Sequence, residues 1–435
     1  MASERTPLLP PSTGTPTPVD NPNPENRAHR LNDVRILGAA FFFIFASQST
    51  IQTLASTVLP PSIAFNAAGT LYVSFALFNL LIASQIVDRI GCQAGLFISA
   101  LTYTIHNCGN IAALKWTGNE FVQNSILIPT ALLNGLGASI IWTSQGVYVA
   151  KCSTPLTLGR YTGTFFGFMW SSGVIGPIFS STLIRNNVEK VAVFEIVTII
   201  SLIGLALLAY IWKFRPEPSN PWNTTSLPDI TAPIAEDGPA YLKTAKLCLT
   251  PSMLLLMPIC YATGFEQSFY GSSLPLFIKT DTPSYDLSMK LYLRATLGLI
   301  ITVTAFAIGR LIDRFGARPM VITSILIHVL CQSLLLFAHP LNNLPVLFTA
   351  YACIGVSNGI LFNLTQKLVG TLFPPHLLSQ AYSGFKFHTS VGTAACFFFS
   401  NWGLDAAGIP EMRIWAPLFL SLLVASYAGV RFAAK

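Results

Sequence analysis

The sequence has 435 residues, of which 52% are hydrophobic and 10% are charged, and its formal net charge is +7. A soluble domain carries about 25% charged residues, and a nucleic-acid-binding protein gathers its Lys and Arg into a basic stripe, which this chain does not do. Its eight cysteines form no CxxC or Cys/His cluster, so we predict neither a disulfide framework nor a metal site, and no cofactor. The composition therefore indicates an integral membrane protein that does not bind nucleic acid.

The first segment, residues 1–33, is rich in proline and poor in bulky apolar side chains. This pattern lacks the charged and apolar regions of a cleaved signal peptide. We predict a disordered tail that the mature protein keeps.

Twelve apolar segments follow, each long enough to cross the roughly 30 Å hydrocarbon core, for which a helix needs about 20 residues. A polar linker at residues 213–250 separates six segments from six. The sequence therefore predicts an all-α membrane protein with two six-helix bundles, at 34–212 and 251–435. The predicted spans are 34–58, 69–87, 94–114, 125–150, 161–184, 191–212, 251–278, 289–312, 319–338, 345–369, 381–400 and 414–431.

The short loops predict the orientation of the chain. Most of their Lys and Arg residues fall on the side of the membrane that holds both termini. Cytosolic loops carry this excess, so we predict that both termini are cytosolic.

The two halves repeat several short motifs in the same order, at offsets between 219 and 225 residues. Four matches at nearly one offset indicate a tandem duplication of a six-helix unit. In membrane transporters such a repeat places the binding site between the halves, near the midplane. The matching pairs are Ser47 with Glu266, Asp88 with Asp313, Gln145 with Gln366 and Tyr161 with Tyr382.

The loop after span eight resembles the G-x-x-x-D-R-x-G-x-R signature of the major facilitator superfamily. That resemblance implies a carboxylate that caps and salt-bridges neighbouring helix ends in one conformation only, and so biases a two-state movement. The matching residues are Gly309, Asp313, Arg314, Gly316 and Arg318.

The loop after span two carries a degraded copy, with Asp88 and Arg89 retained. Cys92 and Gln93 replace the basic pair of the signature. For this copy, a tight basic loop that only obeys the orientation rule remains an alternative.

A narrower resemblance covers both halves. The segments W-T-x-Q-G, G-x-E-x-x-F and F-K-F are similar to those of the Unc-93-like branch of the superfamily. Members of that branch are mostly transporter-like proteins of unassigned activity, and some regulate channels or act as trafficking partners of receptors. The matching residues are Trp142, Thr143, Gln145, Gly146, Gly264, Glu266, Phe269, Phe385, Lys386 and Phe387.

Among the ionisable side chains inside predicted spans, where an ionised group costs several kcal/mol, Glu266 and Lys386 are the main functional candidates. Glu266 is deep in span seven and is predicted to accept a proton, with Tyr270 on the same face; a paired or permanently protonated structural carboxyl is the alternative. Lys386 lies five residues inside span eleven and either attracts an anion or snorkels to the interface. We expect no direct ion pair between Glu266 and Lys386.

Amide and indole side chains recur at helical spacing in spans one, four and ten. The superfamily resemblance implies that these spans and span seven line the central cavity. The amides either bind a polar solute or join helices by hydrogen bonds. The pairs are Gln48 with Gln52, Trp142 with Gln145, and Asn363 with Gln366.

In the tail, Glu4, Leu8 and Leu9 resemble the acidic dileucine signal that clathrin adaptors read. On a cytosolic tail this signal predicts an endolysosomal or vacuolar membrane, with the plasma membrane as the alternative.

Together these features predict a secondary carrier for a small polar or anionic solute, with Glu266 as the candidate for coupling to protons. The alternative is a non-transporting partner of channels or receptors. No nucleophile elbow, P-loop or metal set occurs in the sequence, so we do not expect an enzyme.

Overall fold

The structure is a computed structural model that describes residues 24–59, 61–116, 118–186, 188–218, 240–270, 274–278, 283–400 and 411–433. These residues are almost entirely helical. The α-helices are α1 (Pro24–Val58), α2 (Pro61–Leu81), α3 (Ala83–Ile90), α4 (Cys92–Lys115), α5 (Glu120–Cys152), α6 (Leu158–Arg185), α7 (Lys190–Phe214), α8 (Ala240–Cys248), α9 (Pro251–Ser268), α10 (Pro283–Phe315), α11 (Ala317–Phe337), α12 (Leu344–Leu372), α13 (Leu378–Ser400) and α14 (Met412–Ala433).

Every predicted span corresponds to one long helix or to one bent pair. Span two is the pair of α2 and α3, which bends by 61°, and the short helix α8 meets α9 at 78°. Among the described residues, seven helices are long and apolar enough to cross a membrane by themselves, and the two bent pairs raise that number to nine. Helices α4, α6 and α13 are less apolar because they bury polar side chains such as His106, Ser172 and Lys386.

Several boundaries differ from the prediction. α1 begins at Pro24, so residues 24–33, which we had assigned to the disordered tail, are helical. α9 ends at Ser268, ten residues before the predicted end of span seven, and a π turn follows at 269–270. α8 lies in the predicted linker. Residues 1–23 of the tail and 219–239 of the linker lie outside the described residues.

The packing repeats between the two halves. In the N-terminal bundle α1 packs on α6 and α7, and α4 packs on α5 and α7. In the C-terminal bundle α9 packs on α13 and α14, and α11 packs on α12 and α14, which is the same arrangement. Between the bundles α6 packs on α10, and α2 packs on α13.

Equivalent helices of the two bundles also begin with the same capping residue or the same glycine turn. Asn119 caps α5 by accepting a hydrogen bond from the amide of Val122 at 3.1 Å, and Asn343 caps α12 in the same way. Gly91 and Gly316 stand before the third helix of each bundle with φ of 81° and 80°. This left-handed conformation favours glycine, so both turns keep the same residue.

The bundles approach most closely along α6 and α10. A Cβ atom added to Gly309 would lie 2.3 Å from the carbonyl oxygen of Gly159, and one added to Gly298 would lie 2.9 Å from the carbonyl carbon of Gly173. Glycine at these points lets the two backbones touch, as small residues do in membrane helix pairs.

Candidate functional site

The loops that contain Asp88 and Asp313 lie at the same end of the molecule, which we call the motif end. Asp313 joins the two bundles there. Its carboxylate accepts hydrogen bonds from the backbone amides of Gly159 at 3.0 Å and Arg160 at 2.7 Å, in the first turn of α6. The ammonium of Lys367 on α12 lies 2.7 Å from the same carboxylate. A negative charge at a helix N-terminus is stabilising, so Asp313 holds the start of α6 against the other bundle.

Asp88 forms the matching contact in the opposite direction. It accepts hydrogen bonds from the hydroxyl of Ser379 and from Nε2 of Gln380 at 2.8 Å, at the start of α13. Each motif aspartate therefore binds the first turn of the fifth span of the other bundle. Arg89 lies beside Asp88 in the wall of a cavity of about 450 Å³ at the motif end.

The other signature residues have separate positions. The guanidinium of Arg314 lies 5.2 Å from the ring of Phe315, and Gly316 forms the turn before α11. Arg318 donates a hydrogen bond to the carbonyl of Arg431, at the end of α14. Gly309 is the close contact with α6 described above.

The degraded copy after span two keeps the contact that Arg318 makes, but with an uncharged side chain. Nε2 of Gln93, at the position that matches Arg318, donates to the carbonyls of Arg215 at 3.3 Å and Pro216 at 3.2 Å, just after α7. The carboxylate of Glu217 then accepts a hydrogen bond from the amide of Cys92 and lies 3.8 Å from the ammonium of Lys151. The start of the linker is thus attached to the N-terminal bundle.

One layer further from the motif end, Gln366 on α12 donates a hydrogen bond from Nε2 to Oε1 of Gln145 on α5 at 3.0 Å. Tyr382 on α13 donates its hydroxyl to the carbonyl of Gln366 at 3.2 Å, and its ring covers Gly146. Both amides are buried. This layer closes the space between the bundles beneath the motif loops.

Lys386 lies still deeper, with 6% of its surface exposed. Its ammonium is 4.3 Å from the centre of the Trp142 ring, so it does not snorkel to the interface, one of the two predicted outcomes. Phe41 and Phe45 of α1 pack on the same indole. Within the described part of the chain no carboxylate is at ion-pair distance from the ammonium of Lys386.

Other predicted polar residues lie at the same interface. Gln48 shares a face of α1 with Phe45, and its Oε1 is buried with no hydrogen-bond donor among the described residues. Asn363 donates to the carbonyl of Gly359 at 2.8 Å, and its Oδ1 also finds no described donor. The side chain of Gln52 lies outside the described residues, as do Glu4, Leu8 and Leu9.

Glu266 lies inside the C-terminal bundle, apart from the residues that line the space between the bundles. Its Oε1 is 3.1 Å from Nε2 of His328 on α11, and both side chains are 1% exposed. Tyr270 packs beside this histidine and accepts a hydrogen bond from Gln332 at 2.9 Å. Glu266 therefore makes no ion pair with Lys386, as expected.

Sequence reasoning missed His328. The signal that could have identified it is an ionisable residue in the apolar run of span nine. Such a residue needs a partner inside the bundle, and Glu266 is the carboxylate on the neighbouring helix.

The chain matches the family model of the Major Facilitator Superfamily over residues 36–395 and again over 286–433. It is 26% identical to the UNC93-like protein MFSD11 of Xenopus laevis, over 87% of this chain and 92% of that protein. It is 25% identical to UNC93-like protein 3 of Arabidopsis thaliana, over 85% of this chain and 80% of that one. A Caenorhabditis elegans relative named as a candidate potassium channel regulatory protein, unc-93, is 21% identical, with 84% of this chain and 56% of that protein covered.

Solved structures share the fold at low identity. A bacterial homologue of the iron transporter ferroportin, in an outward-facing state, superposes with a TM-score of 0.66 at 14% identity, covering 94% of this chain and 97% of that one. The human organic anion transporter MFSD10 superposes with a TM-score of 0.64 at 14% identity, over 93% and 100% of the two chains. The prediction of two pseudo-symmetric six-helix bundles is therefore confirmed.

Proposed function

Because this chain belongs to the major facilitator superfamily, we propose that it is a secondary carrier that moves a small anionic solute by alternating access between its two bundles. The observation that carries this proposal is the position of Lys386. Its ammonium is buried between the bundles, against Trp142.

An ammonium that has no carboxylate partner among the described residues is expensive for the protein at this depth. The aromatic face of Trp142 offsets only part of that penalty, about 2 kcal/mol for a desolvated cation–π contact. An anionic group on the solute supplies the missing charge. The rings of Phe41 and Phe45 give the same region apolar walls for the rest of the solute. The buried Oε1 of Gln48, which has no donor in the described part of the chain, gives it a polar one.

The contacts at the motif end support a carrier that is closed on that side. Asp88, Asp313 and the Gln145–Gln366 pair all join one bundle to the other there. The Lys and Arg bias of the loops assigns this side to the cytosol, so the solute enters and leaves this conformation from the opposite side. Glu266 is our candidate for proton coupling.

Flux into liposomes tests the proposal. The purified protein is reconstituted and given a panel of radiolabelled organic anions, with and without a pH gradient. We expect flux of at least one anion, and its loss in Lys386→Gln. Lys213→Gln, which removes an exposed lysine at the end of α7, is the matched control and should keep full flux. Equal flux through both variants would contradict the role of Lys386.

The name of the Caenorhabditis elegans relative favours a second candidate, a regulator that binds a channel or receptor in the membrane. In that case no member of the anion panel crosses the liposome membrane. A membrane protein then co-purifies in a fixed ratio, and Lys386→Gln leaves that ratio unchanged.

For location, we propose an endolysosomal or vacuolar membrane, reached through a clathrin adaptor that binds Glu4, Leu8 and Leu9. Replacing Leu8 and Leu9 with alanine should move a fluorescently tagged protein to the cell surface. Replacing Thr6 and Pro7, between the acidic residue and the leucines, is the control. Unchanged organelle staining after loss of both leucines counts against the signal.

A further inference from the structure

Helices α6 and α13 are equivalent in the repeat, yet they carry opposite chemistry at the same position. Tyr161 and Tyr382 match each other near the starts of these helices, so Lys386, four residues after Tyr382, occupies the position of Phe165. The neighbours of the two helices are equivalent too, because α13 packs on α5 and α6 packs on α12. The ammonium of one bundle is therefore replaced by a phenyl ring in the other.

The two sides of the interface differ accordingly. On the side of α13, the ammonium of Lys386 lies 4.3 Å from the centre of the Trp142 ring, and we call this pair the cationic pole. On the side of α6, the ring of Phe362 lies 5.7 Å from that of Phe166 and 5.4 Å from that of Trp170. We call these three residues the aromatic pole. Like the cationic pole, it takes side chains from both bundles.

Two buried rings connect the poles. The ring of Phe41 lies 5.7 Å from that of Trp142 and 4.9 Å from that of Phe165. Phe165 then contacts Phe166 of the aromatic pole at 5.1 Å. Because only two rings separate the poles, one small molecule that carries a charge and a ring can reach both of them.

The aromatic pole has a polar group that packing leaves without a partner. Trp170 is half-buried, and its Nε1 is a buried donor with no acceptor in the described part of the chain. A buried donor without an acceptor is costly. A bound solute would cover the remaining surface of this indole and could accept its hydrogen bond.

We propose that the solute is an aromatic carboxylate, with its carboxylate at the cationic pole and its ring at the aromatic pole. This inference rests on the proposed function, because it names the class of anion that Lys386 attracts. The ring faces of the aromatic pole are negative and would repel the carboxylate, whereas they attract the positive edge of another ring. The two poles therefore fix the orientation of the solute as well as its class.

Binding to the full-length protein in detergent tests the proposal with two probes, 3-phenylpropanoate and 3-cyclohexylpropanoate. They have the same charge and carbon skeleton, but only the first has an aromatic ring. A ligand that binds the folded state raises the unfolding temperature, so a concentration series gives both dissociation constants. We expect 3-phenylpropanoate to bind about fivefold more tightly, because its ring contacts outweigh the greater hydrophobicity of the cyclohexane.

The variants separate the contributions of the two poles. Trp170→Leu with Phe362→Leu should remove the preference and leave weak binding of both probes. Lys386→Gln should abolish the binding of both. Trp212→Leu is the matched control, because this indole is 47% exposed on α7 and stacks on Phe97, so the preference should remain.

Three results would overturn the proposal: equal affinity of the wild type for the two probes, no binding of either, or a preference that survives the loss of both aromatic rings. If the double variant fails to fold, Trp170→Leu decides, since its half-buried side chain is the easier one to shorten. It should reduce the preference at least twofold, and an unchanged preference would count against the aromatic pole.

Liposome flux separates this proposal from the proposed function. Ring-selective binding without flux of any anion contradicts the carrier and leaves the aromatic carboxylate site intact. Flux of both probes at equal rates, with equal affinities, contradicts the aromatic carboxylate site and leaves the carrier intact.

Discussion

Gln145 and Gln366 hold matching positions in the two bundles and are joined to each other by a 3.0 Å hydrogen bond, although 221 residues separate them. Two equivalent residues of the repeat therefore contact each other where the motif end is closed. Its two copies form one contact in which each amide is the other's partner.

Replacing only Gln366 with leucine should open the motif end. The change leaves the buried Oε1 of Gln145 without its donor, which costs the closed state about 1–3 kcal/mol. Distances between spin labels on the two bundles at the motif end report the change in population. Leucine at both positions removes donor and acceptor together and should be closer to the wild type. An equal effect of the single and double variants would contradict a direct contact.

The two motif aspartates should differ in strength. Asp313 accepts two backbone amides and pairs with Lys367, whereas Asp88 accepts two neutral side chains. All of these contacts involve a charged carboxylate and contribute about 1.5–3 kcal/mol each, so the contact with Lys367 gives Asp313 one more of them than Asp88 has. We expect Asp313→Asn to shift the same spin-label distances more than Asp88→Asn. A larger shift for Asp88→Asn would show that the geometry overstates the role of Asp313.

The close approach of α6 and α10 predicts that Gly309→Ala is strongly disruptive. The new methyl group would lie 2.3 Å from the carbonyl oxygen of Gly159. This is a backbone atom, which cannot relieve the clash by a change of rotamer. Overpacking of this kind costs about 1–3 kcal/mol, so thermal unfolding in detergent should begin at a lower temperature. Gly69→Ala, which meets no atom within 4 Å, is the control and should unfold like the wild type.

The thiol of Cys92, at the motif end just before its span, should be unreactive while that end is closed. Burial raises its pKa to about 12; the ammonium of Lys151 opposes this rise and the carboxylate of Glu217 adds to it. Only the thiolate attacks a maleimide, so labelling should stay slow until the pH approaches that value.

Labelling rates across a pH series, in a protein whose other cysteines are replaced, check this prediction. A variant with Asp313→Asn, which weakens the closed end, should react in moderately alkaline buffer, where an exposed thiol ionises at about pH 8.5. Rapid labelling of the closed protein at neutral pH would count against a buried thiol.

The sequence was sufficient for the spans and for the repeat because both depend on local features. The length of an apolar segment predicts a membrane helix directly. The repeat is visible in the sequence itself, for example at Gly91 and Gly316. The family resemblance rests on the same loops, and the comparisons confirm it.

The contacts of individual side chains were harder to predict. One residue along a helix turns a side chain by about 100°, so a boundary error of one residue redirects it to another neighbour. His328, the partner of Glu266, lies on another helix, and the register of the two helices cannot be read from either segment alone. Snorkelling of Lys386 stayed open as an alternative because of its short distance to the start of span eleven, but the Trp142 ring that covers it comes from the other bundle. Gln93 looked like a lost signature residue, yet it keeps the contact of Arg318 by a neutral hydrogen bond.

The attachment of Arg215 and Glu217 to the turn at Gly91 has a practical consequence for dissecting this protein. If the two halves are produced as separate polypeptides, the first fragment should extend beyond Glu217 and not stop at Phe214, where its last helix ends. A fragment cut at the helix end would leave Gln93 and the Cys92 amide without the groups that they bind. Complementation between co-expressed fragments of the two lengths would then succeed for the longer piece only.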